Sequence, residues 1–353
     1  MKYKVLLTFV VTLALRVDAW TWLWWSSSGG GGEKGSVSEA LCPEPQDILP
    51  CICTNASLSS MKMDCSEILD EYELMNVFSA FFPVTEFNEL VIANNDYLIT
   101  LPNGVFNDVS FRTISIHGGV LEVIEEAALT SSFTTAQYLM FHQNKISDFP
   151  FHVLSSFTDL KSLSLADNNL QELPDLSSAT LEHLYLDNNP LEQVAATTFA
   201  NTPALSVIYL QETRLQEIVP GTFSGLPNLE MVYLFRNYLT EVPEGAVEFP
   251  DVDGSVFLSL NNISTVAPNA FTGMTGGKVE VQYNNLSELP EEVWRPLLEE
   301  GVNISPYGNP LVCGCDIAWL LNSSFIGQIE PMLTTCENGD KLALLDPEDY
   351  ADC

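Results

Sequence analysis

The chain has 353 residues, of which 46% are hydrophobic and 17% are charged, and its formal net charge at pH 7 is −34. Such an acidic surface repels phosphate backbones and anionic lipid headgroups, so the composition argues against nucleic acid, heparin-like polymers and acidic membranes as partners. The length allows two domains, but an array of repeats grows by addition and needs no second core.

Residues 1–19 have the pattern of a secretory signal peptide. Lys2 and Lys4 precede an apolar stretch, residues 5–15, and Ala19 offers a small residue for cleavage. The stretch is too short to span a bilayer. No later apolar stretch is long enough, and the chain ends without the apolar tail of a lipid anchor. We therefore expect a secreted, extracellular product with no membrane span.

Residues 20–41 carry no repeat pattern. The segment begins with four tryptophans, Trp20, Trp22, Trp24 and Trp25. A tract of serine and glycine follows them, which is typical of a flexible linker. Three interpretations of these tryptophans stand on an equal footing. They belong to the secretory segment if cleavage falls later, they form an adhesive tail, or they anchor the chain on a partner.

Cysteines mark both ends of the chain. Residues 42–86 and residues 311–353 each hold four of the eight cysteines, and none falls between these segments. An exported protein forms disulfides more readily than zinc sites. We predict two disulfide-linked caps that cover the apolar ends of the repeat region, and cysteine spacing alone leaves the partners open.

About ten copies of one short pattern make up residues 87–310. Apolar residues and an asparagine recur with fixed spacing, as in Leu160, Leu163, Leu165 and Asn168. The asparagine position returns every 21 to 25 residues, at Asn95, Gly119, Asn144, Asn168, Asn189, Thr213, Asn237, Asn261, Asn284 and Asn309. This period indicates a solenoid, in which each unit supplies one strand and buries its apolar side by stacking on its neighbours.

The recurring asparagine has a predicted structural task. Its amide can pair with backbone groups of adjacent coils that would otherwise be buried without a partner. Gly119 has no side chain for this task, and Thr213 replaces the amide only in part. We expect local loosening at these two positions.

These motifs resemble the extracellular leucine-rich repeat family over residues 87–311. The run from Asn309 to Cys315, followed by Trp319 and Leu320, is similar to the C-terminal cap of that family. The resemblance implies an α/β horseshoe solenoid with a parallel β-sheet on its concave face, short irregular or helical convex segments, and disulfide caps at both ends. It also implies the pairs Cys42 with Cys53, Cys51 with Cys65, Cys313 with Cys336, and Cys315 with Cys353.

An aromatic column is predicted on the concave face. The residue between the two inward apolar residues of each strand points outward, because side chains alternate along a strand. In four consecutive coils this residue is aromatic, at Tyr185, Tyr209, Tyr233 and Phe257. Together with Phe235 and Arg236, these are our predicted partner-binding residues, since aromatic side chains and arginine are enriched in binding hot spots. The alternative is that related repeats simply kept the aromatics, or that they only stabilise the sheet.

Three histidines, His117, His142 and His183, are also predicted to face this side. A metal-binding or pH-sensitive site is one interpretation. Solvated polar side chains are favoured, because the pattern offers no third ligand. We predict no metal ion and no cofactor.

Glycosylation sequons mark the last third of the chain. The five predicted acceptor sites are Asn55, Asn262, Asn285, Asn303 and Asn322. Glycans on the later four would shield the C-terminal edges and leave the middle coils, with the aromatic column, as the open surface.

No catalytic motif accompanies these features. The sequence has no nucleophile elbow, zinc-binding helix or phosphate loop, and open solenoid surfaces lack the enclosed pocket that catalysis usually needs. We predict a secreted, non-enzymatic protein-binding module whose concave face takes a protein partner.

The C-terminal end also resembles a narrower group, exported arthropod leucine-rich proteins that include non-catalytic luciferase subunits. The resemblance is carried by residues 294–298, 308–320 and 346–353. It implies an alternative function, in which the chain is a non-catalytic stabilising subunit of a secreted luciferin-monooxygenase complex with a small catalytic partner.

Overall fold

A twelve-stranded sheet organises the chain in the computed structural model, which describes residues 41–54, 57 and 60–353. The predicted signal peptide, the tryptophans of residues 20–25 and the sequon at Asn55 lie outside the described residues. The strands neighbour one another in chain order. They are Ile52–Thr54, Lys62–Asp64, Glu86–Ala93, Ser110–His117, Tyr138–Met140, Ser162–Ser164, His183–Tyr185, Val207–Tyr209, Met231–Tyr233, Ser255–Phe257, Lys278–Glu280 and Asn303–Ser305.

The strands come from the repeated apolar pattern. The first two, in the N-terminal cap, pair antiparallel, and every later pair of neighbours is parallel. The register aligns equivalent residues of successive repeats, so that Leu163 lies opposite Leu184 and Leu184 lies opposite Ile208. All three are fully buried, because alternate residues of a strand point to the same side.

Short segments form the side of the solenoid away from the sheet. Three small parallel pairs join Thr100–Leu101 with Val123–Ile124, Glu241–Val242 with Thr265–Val266, and Val247–Val252 with Phe271–Met274. The α-helices are Glu71–Phe78, Glu291–Glu299 and Ala318–Leu321. The 3-10 helices are Pro45–Asp47, Thr130–Ser132, Phe151–Ser156, Cys315–Ile317, Ser324–Ile329, Leu342–Leu344 and Pro347–Tyr350. A repeat of about 24 residues leaves no room for a longer helix beside its strand and turns.

The recurring asparagines form the predicted ladder of buried amides. Asn168 donates from Nδ2 to the carbonyl oxygen of Phe141 at 2.9 Å and to that of Leu165 at 3.0 Å, and its Oδ1 accepts from the amide of Ile146 at 2.9 Å. Asn189, Asn261, Asn284 and Asn309 repeat this arrangement in their own coils. The amide therefore satisfies buried backbone groups of two coils, as the sequence indicates.

The residue before each asparagine position has a left-handed backbone. Its φ lies between 52° and 75° at all ten positions, which are Asn94, Gly118, Gln143, Asp167, Asn188, Glu212, Arg236, Leu260, Tyr283 and Gly308. Left-handed backbone costs a non-glycine residue about 1–2 kcal/mol. The buried asparagine bonds that follow offset this cost, and the turn carries the chain out of the sheet at the same place in every repeat.

Gly119 does not loosen the solenoid, and the expectation for this position is wrong. The amide of Gly119 donates to the carbonyl oxygen of Gln143 in the next coil at 3.0 Å. A Cβ at Gly119 would lie 2.6 Å from the carbonyl oxygen of Asn95, so glycine permits a close approach of two coils. Asn95 replaces one bond of the missing amide, because its own Oδ1 accepts from the backbone amide of Tyr97 at 2.9 Å.

Thr213 takes the asparagine position in its coil by hydrogen bonding, and the backbone conformation nearby differs from that of the other coils. Its side chain is fully buried and donates from Oγ1 to the carbonyl oxygen of Leu210 at 2.7 Å. Glu192 and Arg214 nearby have left-handed φ values of 60° and 66°. The substitution is therefore accommodated by local bending of the chain.

Disulfide-linked caps close both ends of the sheet. The bonded pairs are Cys42 with Cys53, Cys51 with Cys65, Cys313 with Cys336 and Cys315 with Cys353, the same pairs that the family resemblance implies. In the N-terminal cap, Phe78 packs edge-on against Phe106 with ring centroids 5.1 Å apart. In the C-terminal cap, Trp319 donates from Nε1 to the carbonyl oxygen of Leu289 at 3.0 Å. Both contacts cover core that a bare solenoid end would expose to water.

Candidate functional site

The predicted aromatic column is a continuous stack of four rings. We call Tyr185, Tyr209, Tyr233 and Phe257 the aromatic stack. Successive ring centroids are 4.3, 4.5 and 4.3 Å apart, and the interplanar angles are 9°, 9° and 3°. Neighbouring strands lie about 4.8 Å apart, so the rings converge slightly above the sheet, as expected on the concave face of a solenoid.

In-register strands bring these rings together. The parallel pairing places Tyr185 opposite Tyr209, Tyr209 opposite Tyr233, and Tyr233 opposite Phe257. All four side chains are partly exposed. Because the inner rings use both π-faces on one another, the stack offers ring edges and hydroxyl groups to a partner, and only its two end rings have an outward face.

The hydroxyls of Tyr209 and Tyr233 have raised pKa values. Burial raises the pKa of Tyr209 well above its usual value, and Tyr185 and Tyr233, which interact with its hydroxyl, raise it further. Burial also raises the pKa of Tyr233, although a hydrogen bond with Tyr209 acts in the opposite direction. Tyr209 and Tyr233 therefore carry neutral hydroxyls across the physiological pH range, and each can donate or accept a hydrogen bond.

Phe235 and Arg236 are placed differently from the stack. Phe235 is half-buried, and it makes no ring–ring contact among the residues that the structure describes. Arg236 pairs with Glu212 of the preceding coil, with 3.0 Å between Nη1 and Oε1. The structure thus brings four of the six predicted partner-binding residues into contact and ties Arg236 to a carboxylate.

An acidic rim lies beside the stack, and the sequence analysis did not identify it. We use this name for Asp167, Asp187 and Glu212, which come from three consecutive coils. Burial, followed by the charges of Asp167 and Glu212, raises the pKa of Asp187 to about 6, against a hydrogen bond to its own backbone that lowers it. Asp187 follows Tyr185 by two residues, so both side chains point out of the same face. The sequence does carry a signal for the rim. In each of these coils an acidic residue follows the outward strand residue, which is Ser164, Tyr185 or Tyr209, by two or three positions.

Two of the three predicted histidines stack on this face. The rings of His117 and His142 have centroids 4.8 Å apart and an interplanar angle of 10°. Burial and then the neighbouring His117 lower the pKa of His142, while Asp167 acts to raise it. His183 belongs to a different row, since it pairs with Ser162 and Val207. Within residues 41–54, 57 and 60–353, no three His, Cys, Asp or Glu side chains are grouped closely enough to hold a metal ion.

The four described sequons are accessible. Asn262, Asn285, Asn303 and Asn322 are all exposed. Asn262 and Asn285 lie on adjacent coils, where Asn285 donates from Nδ2 to the carbonyl oxygen of Asn262 at 3.3 Å. None of the four belongs to the aromatic stack or the acidic rim. Across the described part of the chain, no helix has the length and apolar character needed to cross a membrane.

Comparison with known proteins agrees with this architecture. The profile described as Leucine rich repeat matches residues 179–239, which span the first three rings of the stack. The chain belongs to the leucine-rich repeat family. Within that family it is 33% identical over 320 residues to the Oplophorus-luciferin 2-monooxygenase non-catalytic subunit of Oplophorus gracilirostris, with 89% of each chain covered.

Solved structures show the same fold. A chain in the octameric complex of latrophilin 3, Unc5D and FLRT2 (LRR) aligns with a TM-score of 0.65 at 20% identity, covering 86% of this chain and 98% of that one. A chain in the TLR13–ssRNA13 complex aligns with a TM-score of 0.50 at 22% identity, covering 69% of this chain and 31% of that one. At these identities the likeness concerns the fold alone.

Proposed function

We propose that the chain is a secreted, non-enzymatic module that binds a protein partner on the concave face of its sheet. The single observation that carries this proposal is the four-ring aromatic stack, which is partly exposed and held in place by ring–ring contacts 4.3 to 4.5 Å long. Large aromatic side chains are the commonest binding hot spots. Rings that are already immobilised lose little conformational entropy when a partner arrives.

The stabilising role of the stack is compatible with binding. Cross-strand aromatic pairs contribute to a sheet whether or not anything docks on them. A purely structural role, however, gives no reason for partial exposure of all four rings beside an acidic rim. A rigid apolar ridge next to charged groups is the arrangement that protein interfaces use, with an apolar centre and a polar border.

Export is supported by the covalent chemistry of the caps. All cysteines from Cys42 to Cys353 are paired in disulfides, and disulfides persist in oxidising, extracellular environments. The predicted signal peptide of residues 1–19 and the exposed sequon asparagines agree with this location.

A second candidate function follows from the 33% identity to a protein named as a non-catalytic subunit. In this version the partner is a small secreted catalytic subunit that oxidises a luciferin, and the chain stabilises or carries it. The identity extends over 89% of both chains, so the likeness is not confined to the repeats of residues 87–310. The concave face is the docking surface in both versions.

A capture experiment tests the proposal. The tagged, secreted chain is used to capture proteins from secretions of the organism that produces it. A Tyr209→Ala/Tyr233→Ala variant and a Tyr238→Ala control are used in parallel. Tyr238 is 56% exposed and lies outside the stack. We expect one partner to be retained by the wild type and the control and lost from the double variant. Equal retention by all three would rule out the concave face.

Luciferin oxidation separates the two candidate functions. The captured partner is expressed alone and assayed for luciferin turnover with and without the chain. Turnover by the partner, with a longer active lifetime when the chain is present, supports the accessory-subunit version. A captured partner that does not oxidise luciferin supports the general binding module. Luciferin oxidation by the chain alone contradicts both candidate functions.

A further inference from the structure

The aromatic stack stops abruptly at Tyr185. The next coil toward the N-terminus places Ser164 opposite Tyr185, and the coil beyond it places Met140 opposite Ser164. One π-face of Tyr185 is covered by Tyr209, and the other is turned toward Ser164, which is too small to cover it. At the opposite end, Phe257 neighbours Glu280, which is already bound to Lys278 at 2.7 Å.

Small residues extend this interruption along the strand. Ala166 follows Ser164 by two residues on the same face, and the two side chains are only 8% and 7% exposed because larger residues stand on both sides. We call this feature the slot. Ser164 and Ala166 form its floor, while its two walls are formed by Tyr185 with Asp187 and by Met140 with His142, because backbone bonds from Gln143 to Ala166 and from Asp167 to Asp187 continue the register of the strands.

The width of the slot admits one flat group. Its walls are two strand spacings apart, about 10 Å between backbones. A planar group between two walls needs a van der Waals distance of about 3.5–4.0 Å on each side, or less than 8 Å in all. A second planar layer would not fit, and a bulky aliphatic side chain would leave the face of Tyr185 poorly covered.

Charge decides which flat group suits the slot. Asp187 on one wall and Asp167 at its end are close enough to interact, and Glu212 adds a third carboxylate. The cation of this neighbourhood, Arg236, is paired with Glu212 at 3.0 Å. His142, on the other wall, is biased toward its neutral form by burial and by His117. A neutral ring in the slot would leave Asp187 without a counter-charge, whereas a planar cation would supply one.

We propose that the protein partner inserts an arginine into this slot, with the guanidinium stacked on the free face of Tyr185 and paired with the carboxylate of Asp187. Guanidinium is the side-chain group that is flat, always charged and able to stack on an aromatic face while donating to a carboxylate. A lysine ammonium supplies the charge without the flat surface. This inference rests on the proposed function and specifies what the partner presents to the concave face.

Three short peptides test the proposal without knowledge of the partner. The probes are acetyl-Gly-Arg-Gly-amide, its lysine counterpart, and its citrulline counterpart, which keeps the flat group and loses the charge. Binding is followed by NMR of the full secreted chain carrying ring-labelled tyrosine, with a Tyr185→Phe variant to assign the Tyr185 signal. We expect a saturable shift of that signal with the arginine peptide, an affinity at least about threefold weaker with lysine, and no saturable shift with citrulline.

Two variants locate the bound arginine. Asp187→Asn should weaken the arginine peptide about tenfold, because a charge-assisted hydrogen bond is lost. Ser164→Tyr should abolish binding by continuing the stack across the slot. Ser115→Tyr is its matched control, since Ser115 lies in the same row beyond Met140 and the extra ring there leaves the slot open. Near-ultraviolet circular dichroism establishes that each variant is folded.

The outcomes separate this inference from the proposed function. Equal affinity of the arginine and citrulline peptides, or unchanged arginine binding in folded Ser164→Tyr, would overturn the arginine slot. If the captured partner is lost from Tyr209→Ala/Tyr233→Ala but is retained by both Ser164→Tyr and Asp187→Asn, the concave face stands and the arginine inference fails. If all variants retain the partner, both proposals fail.

Discussion

The rings of Tyr209 and Tyr233 lie 4.5 Å apart and 9° from parallel, on neighbouring strands of one sheet. This contact joins the fold to the proposed binding surface, because the same ring that stabilises the sheet from within the stack also shows its edge to solvent. Replacing a ring therefore has two measurable effects, one on folding and one on binding.

Loss of the ring at Tyr209 should destabilise the chain. Tyr209→Ala removes two stacked contacts, each worth about 0.5–1.5 kcal/mol beyond the area that it buries, so we expect the free energy of unfolding to fall by at least about 1–3 kcal/mol. Tyr209→Phe keeps both contacts and should change it by less than about 0.5 kcal/mol. Urea unfolding followed by far-ultraviolet circular dichroism measures both. Equal stability of Tyr209→Ala and the wild type would show that the stack contributes nothing to the sheet.

Asp187 should make stability depend on pH. Its folded pKa of about 6 lies above the ordinary value of 3.8 for an aspartate, so the folded chain holds this proton more tightly than the unfolded chain. The stability that the proton provides is fully present below pH 3.8 and is lost as pH rises to about 6. Asp187→Asn should therefore be more stable than the wild type at pH 7.5, by about 1 kcal/mol after screening by solvent.

The measurement is urea unfolding of the wild type and Asp187→Asn at several pH values from 4 to about 7.5. The advantage of the variant should shrink toward the acid end of this range. Asp108→Asn, a change at an exposed aspartate outside the rim, is the control for the loss of one acidic side chain. A pH-independent difference for Asp187→Asn would mean that the pKa of Asp187 is not raised in the folded chain.

The asparagine ladder predicts a sharp contrast between adjacent residues. Asn168→Ala leaves the amide of Ile146 without its partner and removes one of the two bonds to the carbonyl oxygen of Phe141, and an unpaired buried group costs about 1–3 kcal/mol. Asn169 is exposed, and its side chain donates from Nδ2 to the carbonyl oxygen of Lys145 at 3.4 Å. We expect Asn168→Ala to lower the free energy of unfolding by about 1–3 kcal/mol, while Asn169→Ala changes it little. Comparable losses from both variants would contradict the ladder.

Gly119 should tolerate no side chain. A Cβ there meets the carbonyl oxygen of Asn95 at 2.6 Å, whereas a Cβ at Gly327 has no atom within 4 Å. Gly119→Ala should therefore unfold at lower urea concentration, with a loss of more than about 1 kcal/mol. Gly327→Ala is the control and should match the wild type. A neutral Gly119→Ala would show that the two coils can move apart freely.

Much of the fold follows from the spacing of residues such as Leu163, Leu165 and Asn168. That spacing predicts strands, their parallel order and a ladder of buried amides, because repeats of nearly constant length must stack in register. The aromatic stack follows from the same register, since Tyr185 and Tyr209 occupy equivalent places. Structural and binding roles of the rings cannot be distinguished from residue type, because their exposure depends on how the coils curve and stack.

Other features depend on geometry that residue type does not reveal. The left-handed turn before each asparagine occurs at residues as different as Leu260, Arg236 and Tyr283, so no side-chain signature marks it. The acidic rim arises because that turn brings Asp167 close to Asp187. Gly119 was expected to weaken its coil, and the expectation failed because a missing side chain also permits closer contact between backbones.

The most direct test of the account is the affinity of the purified, captured partner for the chain and for Tyr209→Ala/Tyr233→Ala, measured by calorimetry under conditions in which both are folded. Each hot-spot ring should be worth about 2 kcal/mol, so the account predicts a dissociation constant at least about 100-fold weaker for the double variant. Tyr238→Ala should bind like the wild type. A double variant that binds within about twofold of the wild type would contradict the claim that the aromatic stack is the docking surface.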